Sequence, residues 1–575
     1  MIRDEADGGV SRRGMAASTL RDIARTWPIA LLALSLTVSA IVISPKKPYW
    51  NDELFTYYML AADSFDVMWG AFNDKLNNTP FAYFGLGWLW AKPFGTSPLS
   101  LRLFSSIAFS GAALALWIPL RRTFGFWGAA FGCLAVFATS SQVLSQNAEA
   151  RMYGLLMLGV ALAILLYDRL GRTRHPPIGL LAANFAVHVL IVHTHLFGPF
   201  YSGTIALGLL VSDTVAAPRN PVRLLRDRAG TYASILAAWL SFLLYLPAFL
   251  VQADAGKPYS WIPTPVRGDL ERLLTQAQAD FVDLKVLVLV LVVLLAGGAA
   301  VVASAPARAP RLAVPPGAAR HLICLALLLV FLPVAIWAIS RIGRPIFYPR
   351  YMLPSALGWG ILVASVVSQV MPARPSHGGP WVQWLRTSVL SGAVVLLTAV
   401  PVLYALDYRP RVVPGTEDAP YMIGDLPIVV QSSGGFLERR YHASTPDRYV
   451  FVLDLDTADE GASGRFGIQQ QKHMEAWARA FPAQFGGRVV QGEAFLREHD
   501  RFIVLTTARY ESTCSLSVRG VWVAEKDWER LDCPQWVRRR LLPDPDWTVT
   551  ELGEIWDQAF LLVERRRPAG PDPDA

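Results

Sequence analysis

Charged side chains are scarce in this sequence. Only 17% of its 575 residues are Asp, Glu, Lys or Arg, whereas soluble domains contain about a quarter. The charges are also unevenly placed, since 48 of the 98 lie in residues 407–575, which make up less than a third of the chain. This distribution excludes an ordinary soluble enzyme. It indicates that lipid is the solvent for the first part of the chain and water for the second.

Cysteine and metal-binding patterns are equally sparse. The four cysteines include no CxxC pair, which argues against a zinc ribbon or a thioredoxin-like redox site. His193 and His195 are two positions apart with no third ligand in view, so they are expected to be structural or substrate-contacting rather than metal ligands. The pI near 9.3 does not indicate nucleic acid, because the basic residues fall in short loops between apolar runs, as in membrane proteins.

Apolar runs of roughly the ~20 residues that cross a bilayer recur along the chain. They predict a polytopic α-helical membrane protein with about eleven spans, near 27–45, 100–120, 127–146, 151–169, 178–193, 196–212, 231–251, 284–304, 320–340, 351–370 and 388–406. The first run could instead be a cleaved signal peptide ending at Val38-Ser39-Ala40. It continues to Ile43, however, which favours a retained helix.

The segment Thr79–Gly95 decides the topology. It is apolar but interrupted by Pro80, Lys92 and Pro93. If it lies along the membrane interface, most basic loops fall on the inside, whereas a span here would put them outside. We therefore predict an inside N-terminal tail (1–26) and a transmembrane domain (27–406) with a long first outside loop (45–98). The soluble domain (407–575) is then outside as well.

The soluble segment 407–575 contains no span. Short β-type runs occur at Pro427–Val430, Tyr449–Leu453, Phe502–Thr506 and Ala559–Val563, with helical patterns near 468–481 and 523–540. This alternation predicts a small α/β domain. It has no GxGxxG, P-loop or HExxH motif, so a recognition or stabilising role is the default expectation.

The predicted topology bears on the cysteines. Cys514 and Cys533 would share an oxidising compartment, so they either form a disulfide or remain two buried thiols. Cys133 and Cys324 fall in apolar spans, where packing is the expected role.

An acidic pair, Asp52-Glu53, follows the first span. Two adjacent carboxylates at a membrane surface are costly unless they are solvated, paired or functional. The alternative to a catalytic role is a helix start, in which Asn51 or Asp52 caps a helix over Glu53–Ala62.

Other outside turns are also polar. The turn Arg341–Tyr351 holds Arg341, Arg344 and Arg350, against the positive-inside trend. Arginine binds phosphate in a bidentate manner, which suggests an outward-facing anionic ligand. Snorkelling to lipid headgroups is the alternative.

Five short motifs, in this order, resemble the dolichyl-phosphate-mannose–protein mannosyltransferase family. They are the acidic pair, Asn78–Phe84 (NTPFAYF), Leu101–Ser106 (LRLFSS), Glu149–Tyr153 (EARMY) and Arg350–Pro354 (RYMLP). Bacterial members of the family include the lipid A aminoarabinose transferases. They are polytopic enzymes of the C-type glycosyltransferase fold that use polyprenyl-phosphate-linked sugars at the outer face of the membrane. The resemblance covers roughly residues 25–370.

The resemblance implies roles for particular residues. Asp52 falls at the catalytic acidic position with Glu53 as its partner, and a donor-phosphate or substrate cavity is implied near Arg151, Arg350 and Tyr351. Tyr153 and Arg344 lie in the same outside turns as these residues, His195 lies in the outside turn after the fifth span, and all three are expected to line the cavity. The chain departs from the family at Asn78-Thr79, which leaves the phosphate partner in this loop open, with Lys75 a candidate by proximity alone.

The resemblance, taken with the predicted topology, implies an inverting glycosyltransferase of the bacterial inner membrane, with its site on the extracytoplasmic side. Its partners would be a polyprenyl-phosphate sugar, membrane lipid and an acceptor glycan, lipid or protein, with no nucleic acid. No cofactor is required, and a divalent metal is possible but not indicated. The rivals are a flippase or transporter without turnover and a structural subunit. The repeats and charged spans typical of transporters are not evident.

Overall fold

The computed structural model describes residues 12–173, 175–216, 226–257, 262, 264–275, 317–370, 380–460, 464–508, 510–511 and 534–566. Within these ranges, a helical part is followed by a small mixed sheet with helices packed on it. The helices of the first part are α1 (Arg12–Ile43), α2 (Asn51–Leu60), α3 (Phe65–Phe72), α4 (Ala82–Phe94), α5 (Pro98–Phe137), α6 (Ser141–Asn147), α7 (Tyr153–Arg172), α8 (Ile178–Thr194), α9 (Gly198–Ala216), α10 (Ala229–Ser241), α11 (Leu246–Ala255), α12 (Arg267–Thr275), α13 (Gly317–Ile342), α14 (Ala356–Val370) and α15 (Pro380–Asp407). Short 3₁₀ turns at Ser44–Lys46, Phe242–Tyr245 and Pro349–Ser355 join some of them.

Seven helical segments in the described ranges are long and apolar enough to cross a membrane. They are Thr26–Lys46, Pro98–Phe137, Tyr153–Arg172, Ala229–Ala255, Ala319–Ile342, Pro349–Gln369 and Pro380–Asp407. The protein is therefore a multi-pass membrane protein, as predicted. The predicted spans at 178–193 and 196–212 coincide with α8 and α9, which are not among the seven. The predicted span at 284–304 lies outside the described residues.

Helix α5 reverses direction at Gly125. A straight helix of 40 residues would be about 60 Å long, yet the rings of Trp117 and Phe126 are 5.8 Å apart and Cys133 Sγ lies 3.8 Å from Ala113 O. Gly125 has φ +77°, a conformation that glycine adopts without a steric penalty. The two arms correspond to the predicted spans at 100–120 and 127–146, the second of which is completed by α6.

Small residues allow close backbone contact between α5 and its neighbours α7 and α14. A Cβ on Gly132 would lie 2.5 Å from Gly360 O in α14, and a Cβ on Gly154 in α7 would lie 2.4 Å from Ser105 O in α5. Close packing through small residues is the usual means of helix association in lipid. Ser105 Oγ also donates to Arg151 O over 2.8 Å, which fixes the start of α7 against α5.

The interrupted segment Thr79–Gly95 forms the short helix α4. Its 13 residues rise about 20 Å, less than the ~30 Å of a hydrocarbon core. Helix α4 by itself is therefore too short for a straight crossing, and the sidedness of the loops stays a prediction.

The C-terminal part forms a six-stranded sheet with the order β3-β2-β1-β4-β6-β5. The strands are β1 (Ile428–Val430), β2 (Tyr449–Leu453), β3 (Val489–Gln491), β4 (Arg501–Thr507), β5 (Trp547–Ile555) and β6 (Gln558–Arg565). The first four are parallel, and β6 pairs antiparallel with both β4 and β5. The helices of this part are α16 (Ser433–His442), α17 (Leu455–Asp459), α18 (Gly464–Ala480), α19 (Pro482–Phe485) and α20 (Gly492–Glu498), with 3₁₀ turns at Ala419–Tyr421 and Pro446–Arg448 and a π turn at Val537–Leu541.

The predicted α/β domain is confirmed, and its four predicted runs became β1, β2, β4 and β6. Strands β3 and β5 were not predicted, because β3 has three residues and β5 is largely exposed with polar residues along it. Helix α18 matches the pattern at 468–481. The pattern at 523–540 lies mostly outside the described residues.

The sheet domain packs directly on α2. Trp477 of α18 contacts Phe55 and Tyr58 of α2, with ring centroids 5.4 and 5.5 Å apart. An ion pair of 3.0 Å joins Arg479 of α18 to Asp74 of the first loop. One hydrophobic core therefore continues from the helical part into the sheet domain.

Candidate active site

Asp52 lies in the first turn of α2 and does not form its cap. The N-cap residue is Trp50, whose backbone is extended and whose side chain makes no capping hydrogen bond. Asn51 and Asp52 are already helical. The alternative interpretation from the sequence, in which Asp52 caps this helix, is therefore wrong.

Two arginines hold the Asp52 carboxylate. Arg350 Nη2 lies 2.7 Å from Asp52 Oδ2, and Arg151 Nη2 lies 3.9 Å from the same oxygen. Arg151 also donates from Nη1 to the Asp52 backbone oxygen over 2.9 Å. Burial alone would raise the pKa of Asp52, but the charges of Arg350 and Arg151 outweigh it and hold the pKa below its ordinary value. The carboxylate is therefore ionised at neutral pH.

Aromatic rings surround the Arg350 guanidinium. Its carbon lies 5.0 Å from the ring centre of Tyr348, 5.8 Å from that of Trp50 and 5.9 Å from that of Tyr153. These distances are within the range of cation–π contact. The rings pack around the guanidinium, and the Arg350 side chain is only 18% exposed.

The same cluster has buried polar atoms without a hydrogen-bond partner among the described residues. They are Trp50 Nε1, Arg151 Nε, Arg350 Nε and Tyr153 Oη. Buried donors normally find partners, so a set of four beside one carboxylate suits a polar or anionic ligand. The arrangement can bind an anion through the arginines and accept a proton at Asp52.

His195 and Tyr351 form one wall of this cluster. The His195 ring lies 4.9 Å from that of Tyr351 and 5.8 Å from that of Tyr153. His195 Nδ1 accepts a hydrogen bond from Phe197 N over 3.1 Å. Burial, together with the positive charges of Arg151 and Arg350, lowers the pKa of His195 to about 3. The imidazole is therefore neutral at physiological pH.

Glu53 faces away from this cluster. It receives hydrogen bonds of 2.8 and 2.6 Å from Arg102 Nε and Nη2, and one of 2.8 Å from Ala150 N. Its side chain and that of Arg102 are 0% exposed. Burial would raise the pKa of Glu53, but Lys47 and Arg102 lower it below its ordinary value. Glu53 thus ties α2 to α5 and to the residue before Arg151.

Lys75 and Arg344 meet at a different place. Lys75 Nζ pairs with Asp254 Oδ2 over 2.6 Å, and Arg344 Nη2 donates to Gly256 O over 3.1 Å. Both support the end of α11. Among the described residues, the ion pairs of the Asp52 carboxylate are with Arg350 and Arg151 and not with Lys75 or Arg344.

Several residues of the site were not singled out from the sequence. Trp50 and Tyr348 lie beside Asp52 and Arg350 in the chain, and an aromatic next to a functional charge was the available signal. Arg102 was part of a quoted motif without an assigned role. A buried arginine in an apolar helix requires a partner, which pointed to a carboxylate such as Glu53.

Two further expectations concern other side chains. Cys514 and Cys533 lie outside the described residues, while Cys133 and Cys324 are unpaired thiols. In the described part of the chain, no three His, Cys, Asp or Glu side chains are grouped as a metal site would need.

Comparison with known proteins shows the fold. No family model matches the chain, and no curated protein matches it in sequence. ArnT from Cupriavidus metallidurans bound to undecaprenyl phosphate aligns with a TM-score of 0.50 and 14% identity, over 94% of this chain and 98% of ArnT. Its apo form aligns with a TM-score of 0.53 and 12% identity over the same shares. This chain has the C-type glycosyltransferase fold.

The predicted fold class is thereby confirmed for most of the chain. The oligosaccharyltransferase AglB from Archaeoglobus fulgidus aligns with a TM-score of 0.42 and 12% identity, over 85% of this chain and 70% of AglB. At identities this low, the alignment with ArnT shows the fold alone.

Proposed function

We propose that the protein is an inverting glycosyltransferase that moves a sugar from a polyprenyl phosphate to an extracytoplasmic acceptor. The observation that supports this most is the Asp52 carboxylate, held 2.7 Å from Arg350 and 3.9 Å from Arg151 inside an aromatic enclosure. One base beside two anion-binding groups is what transfer from a phosphate leaving group needs. The fold shared with an ArnT bound to undecaprenyl phosphate supports the same class of donor.

In the proposed reaction, Asp52 accepts the proton of the acceptor hydroxyl. The acceptor oxygen then bonds to the anomeric carbon from the face opposite the phosphate. The bond between that carbon and the phosphate oxygen breaks, and its electron pair stays on the phosphate. Arg350 and Arg151 stabilise the resulting charge, since guanidinium–phosphate hydrogen bonds are strong and directional.

The donor also activates the base in this scheme. Without substrate, Arg350 is paired with Asp52 and lowers the pKa of that carboxyl, which makes it a poor proton acceptor. A donor phosphate that draws Arg350 towards itself weakens this pair, and the basicity of Asp52 rises towards its ordinary value. Proton abstraction is then linked to the arrival of the donor.

The remaining residues are proposed to shape the site. Glu53 positions α2 and the Arg151 turn through its buried pair with Arg102. Tyr153, His195 and Tyr351 form the wall next to the phosphate, and Lys75 and Arg344 support the loop after α11. The charge of the loops supports an outward-facing site, with the sheet domain on the same side.

The proposal can be tested by identifying the lipid that accumulates in cells that lack the protein. Cells lacking it should accumulate a polyprenyl-phosphate sugar, detectable by mass spectrometry of extracted lipids, and the wild-type gene should remove it. Asp52→Asn should not remove it. Asp66→Asn, an exposed aspartate in the same loop, serves as the matched control and should restore the wild-type pattern. An unchanged lipid profile in the deletion strain would contradict the proposal.

A further inference from the structure

The helix that carries Asp52 takes its first capping hydrogen bond from the other domain. Asn51 N donates to Glu438 Oε1 over 3.1 Å, and Glu438 belongs to α16 of the sheet domain. The first N–H groups of a helix have no partner within it, and a carboxylate at this end is favoured by the helix dipole. Since Trp50 offers no side-chain cap, Glu438 supplies what α2 lacks.

Two more contacts join α16 to the residues just before Asp52. His442 Nε2 donates to Tyr49 O over 2.9 Å. A Cβ on Gly434 would lie 3.2 Å from Asn51 Cβ and Cγ, so α16 approaches this segment about as closely as glycine allows. Residues 49–51 are therefore held at three points along one face of α16.

Helix α16 is itself firmly anchored. Ser433 N donates to Gln470 Oε1 of α18 over 2.8 Å. Arg439 makes two hydrogen bonds, of 2.6 and 3.0 Å, to Asp418. These contacts fix α16 within the sheet domain, so its contact with α2 is between two ordered elements.

Glu438 occupies a costly position for a carboxyl group. Partial burial raises its pKa to about 7, and the hydrogen bond from Asn51 and the charges of Arg439 and Arg411 lower it only in part. Glutamate side chains without a structural partner are normally exposed to solvent. Its hydrogen bond with Asn51 N offsets part of the cost of burying this half-buried carboxyl group.

We propose that Glu438 is a positioning residue for the transfer reaction, through which the sheet domain sets the place of the Asp52 carboxylate relative to Arg350. The inference rests on the proposed role of Asp52. Asp52 is the residue next to Asn51, so displacement of the helix start moves the carboxylate directly. Misplacement of a catalytic group by about 1 Å can cost on the order of a hundredfold in rate.

The test compares Glu438→Ala and Glu438→Gln in the full-length protein in lipid nanodiscs. The donor is the lipid-linked sugar purified from the deletion strain. Glu438→Ala should lower kcat about tenfold, because a shift of the helix start by less than about 1 Å misplaces the Asp52 carboxylate, while the donor KM changes less than about twofold. Glu438→Gln should recover most of the rate, since its amide oxygen can accept the same hydrogen bond. Glu493→Ala, an exposed glutamate of α20, is the matched control.

Hydrogen exchange supplies a readout that does not depend on activity. Amides of residues 51–54 should exchange faster in Glu438→Ala than in wild type and near the wild-type rate in Glu438→Gln. Gly434→Ala leaves the carboxylate in place but presses on Asn51, so it should lower kcat in the same way even if Glu438→Ala folds poorly.

Three results would overturn the inference. They are a wild-type kcat in Glu438→Ala, equal losses in the Ala and Gln variants, or unchanged exchange at residues 51–54. Failure of the proposed function looks different, because Asp52→Asn would then retain transfer whatever Glu438 does.

Discussion

The Asp52 carboxylate and the Arg350 guanidinium form an ion pair of 2.7 Å, with each side chain less than a fifth exposed. Pairs this enclosed are costly to desolvate unless their remaining hydrogen-bonding groups are satisfied. Here Arg350 Nε and Arg151 Nε lack partners among the described residues. The pair is better suited to opening around an anion than to stabilising the fold.

Substitution of Arg350 should separate donor binding from folding. Arg350→Ala should weaken binding of undecaprenyl phosphate about tenfold or more, because the proposed phosphate contact is lost and a hydrogen bond to a charged group contributes ~1.5–3 kcal/mol. Arg350→Lys should recover only part of the affinity, since a single ammonium cannot form the two-pronged contact. Binding can be measured by thermal shift with undecaprenyl phosphate. The control is Arg267→Ala, since the Arg267 side chain is 87% exposed. If Arg350→Ala binds undecaprenyl phosphate as tightly as wild type, the alternative interpretation, in which Arg350 contacts lipid headgroups, would be correct.

Glu53 should affect stability more than chemistry. Glu53→Gln leaves the Arg102 charge buried without its partner, which typically costs ~3–5 kcal/mol. We expect a clear drop in thermal stability, measured by tryptophan fluorescence in detergent. The double variant Glu53→Gln with Arg102→Met should recover part of it. A stable Glu53→Gln protein without transfer activity would instead indicate direct participation in catalysis.

Features that depend on residues close together in the chain were predicted from the sequence, and features that depend on contacts between distant segments were not. Asp52, Arg151 and Arg350 were predicted because they stand in short local motifs. The buried strands were predicted because runs such as Tyr449–Leu453 are continuous and apolar.

What was missed depends on contacts between distant segments. No residue near Lys75 in the sequence indicates that Lys75 pairs with Asp254. The bond from Asn51 N to Glu438 likewise depends on two domains docking. Local periodicity carries no information about such docking.

His473 should make the docked state sensitive to acid. Its Nδ1 contacts Lys75 O, its Nε2 lies 3.0 Å from Gln469 Nε2, and burial lowers its pKa to about 4. The folded state therefore binds fewer protons than the unfolded state between pH ~6.5 and ~4. The contribution of neutral His473 to the free energy of unfolding is complete above pH ~6.5, the pKa of histidine in the unfolded chain. As the pH falls from ~6.5 to ~4, this group lowers the free energy of unfolding by about 3 kcal/mol.

The measurement is the melting temperature at pH 7.5 and pH 5. His473→Gln should show a smaller loss between the two than wild type. His499→Gln, in the same domain, should behave as wild type. An unchanged pH dependence in His473→Gln would contradict the buried neutral imidazole.

The sheet domain should lie outside the cytoplasm. In a background without native cysteines, Asp459→Cys, at an exposed position, should react with a membrane-impermeant maleimide in intact spheroplasts. The reason is the basic excess in the loops assigned to the inside. Labelling only after permeabilisation would reverse the topology and place the Asp52 site on the cytoplasmic face.

The central claim is that Asp52 is the general base. Asp52→Asn keeps the size of the side chain but cannot accept a proton as a carboxylate does, and the cap of α2 is not at stake because Trp50 occupies that position. With purified protein and the lipid-linked sugar, transfer should fall at least ~100-fold. Undecaprenyl phosphate should bind at least as tightly as to wild type, because Arg350 is no longer paired with a carboxylate, and the variant should still be obtained as folded protein. Near-normal transfer by Asp52→Asn would contradict the account.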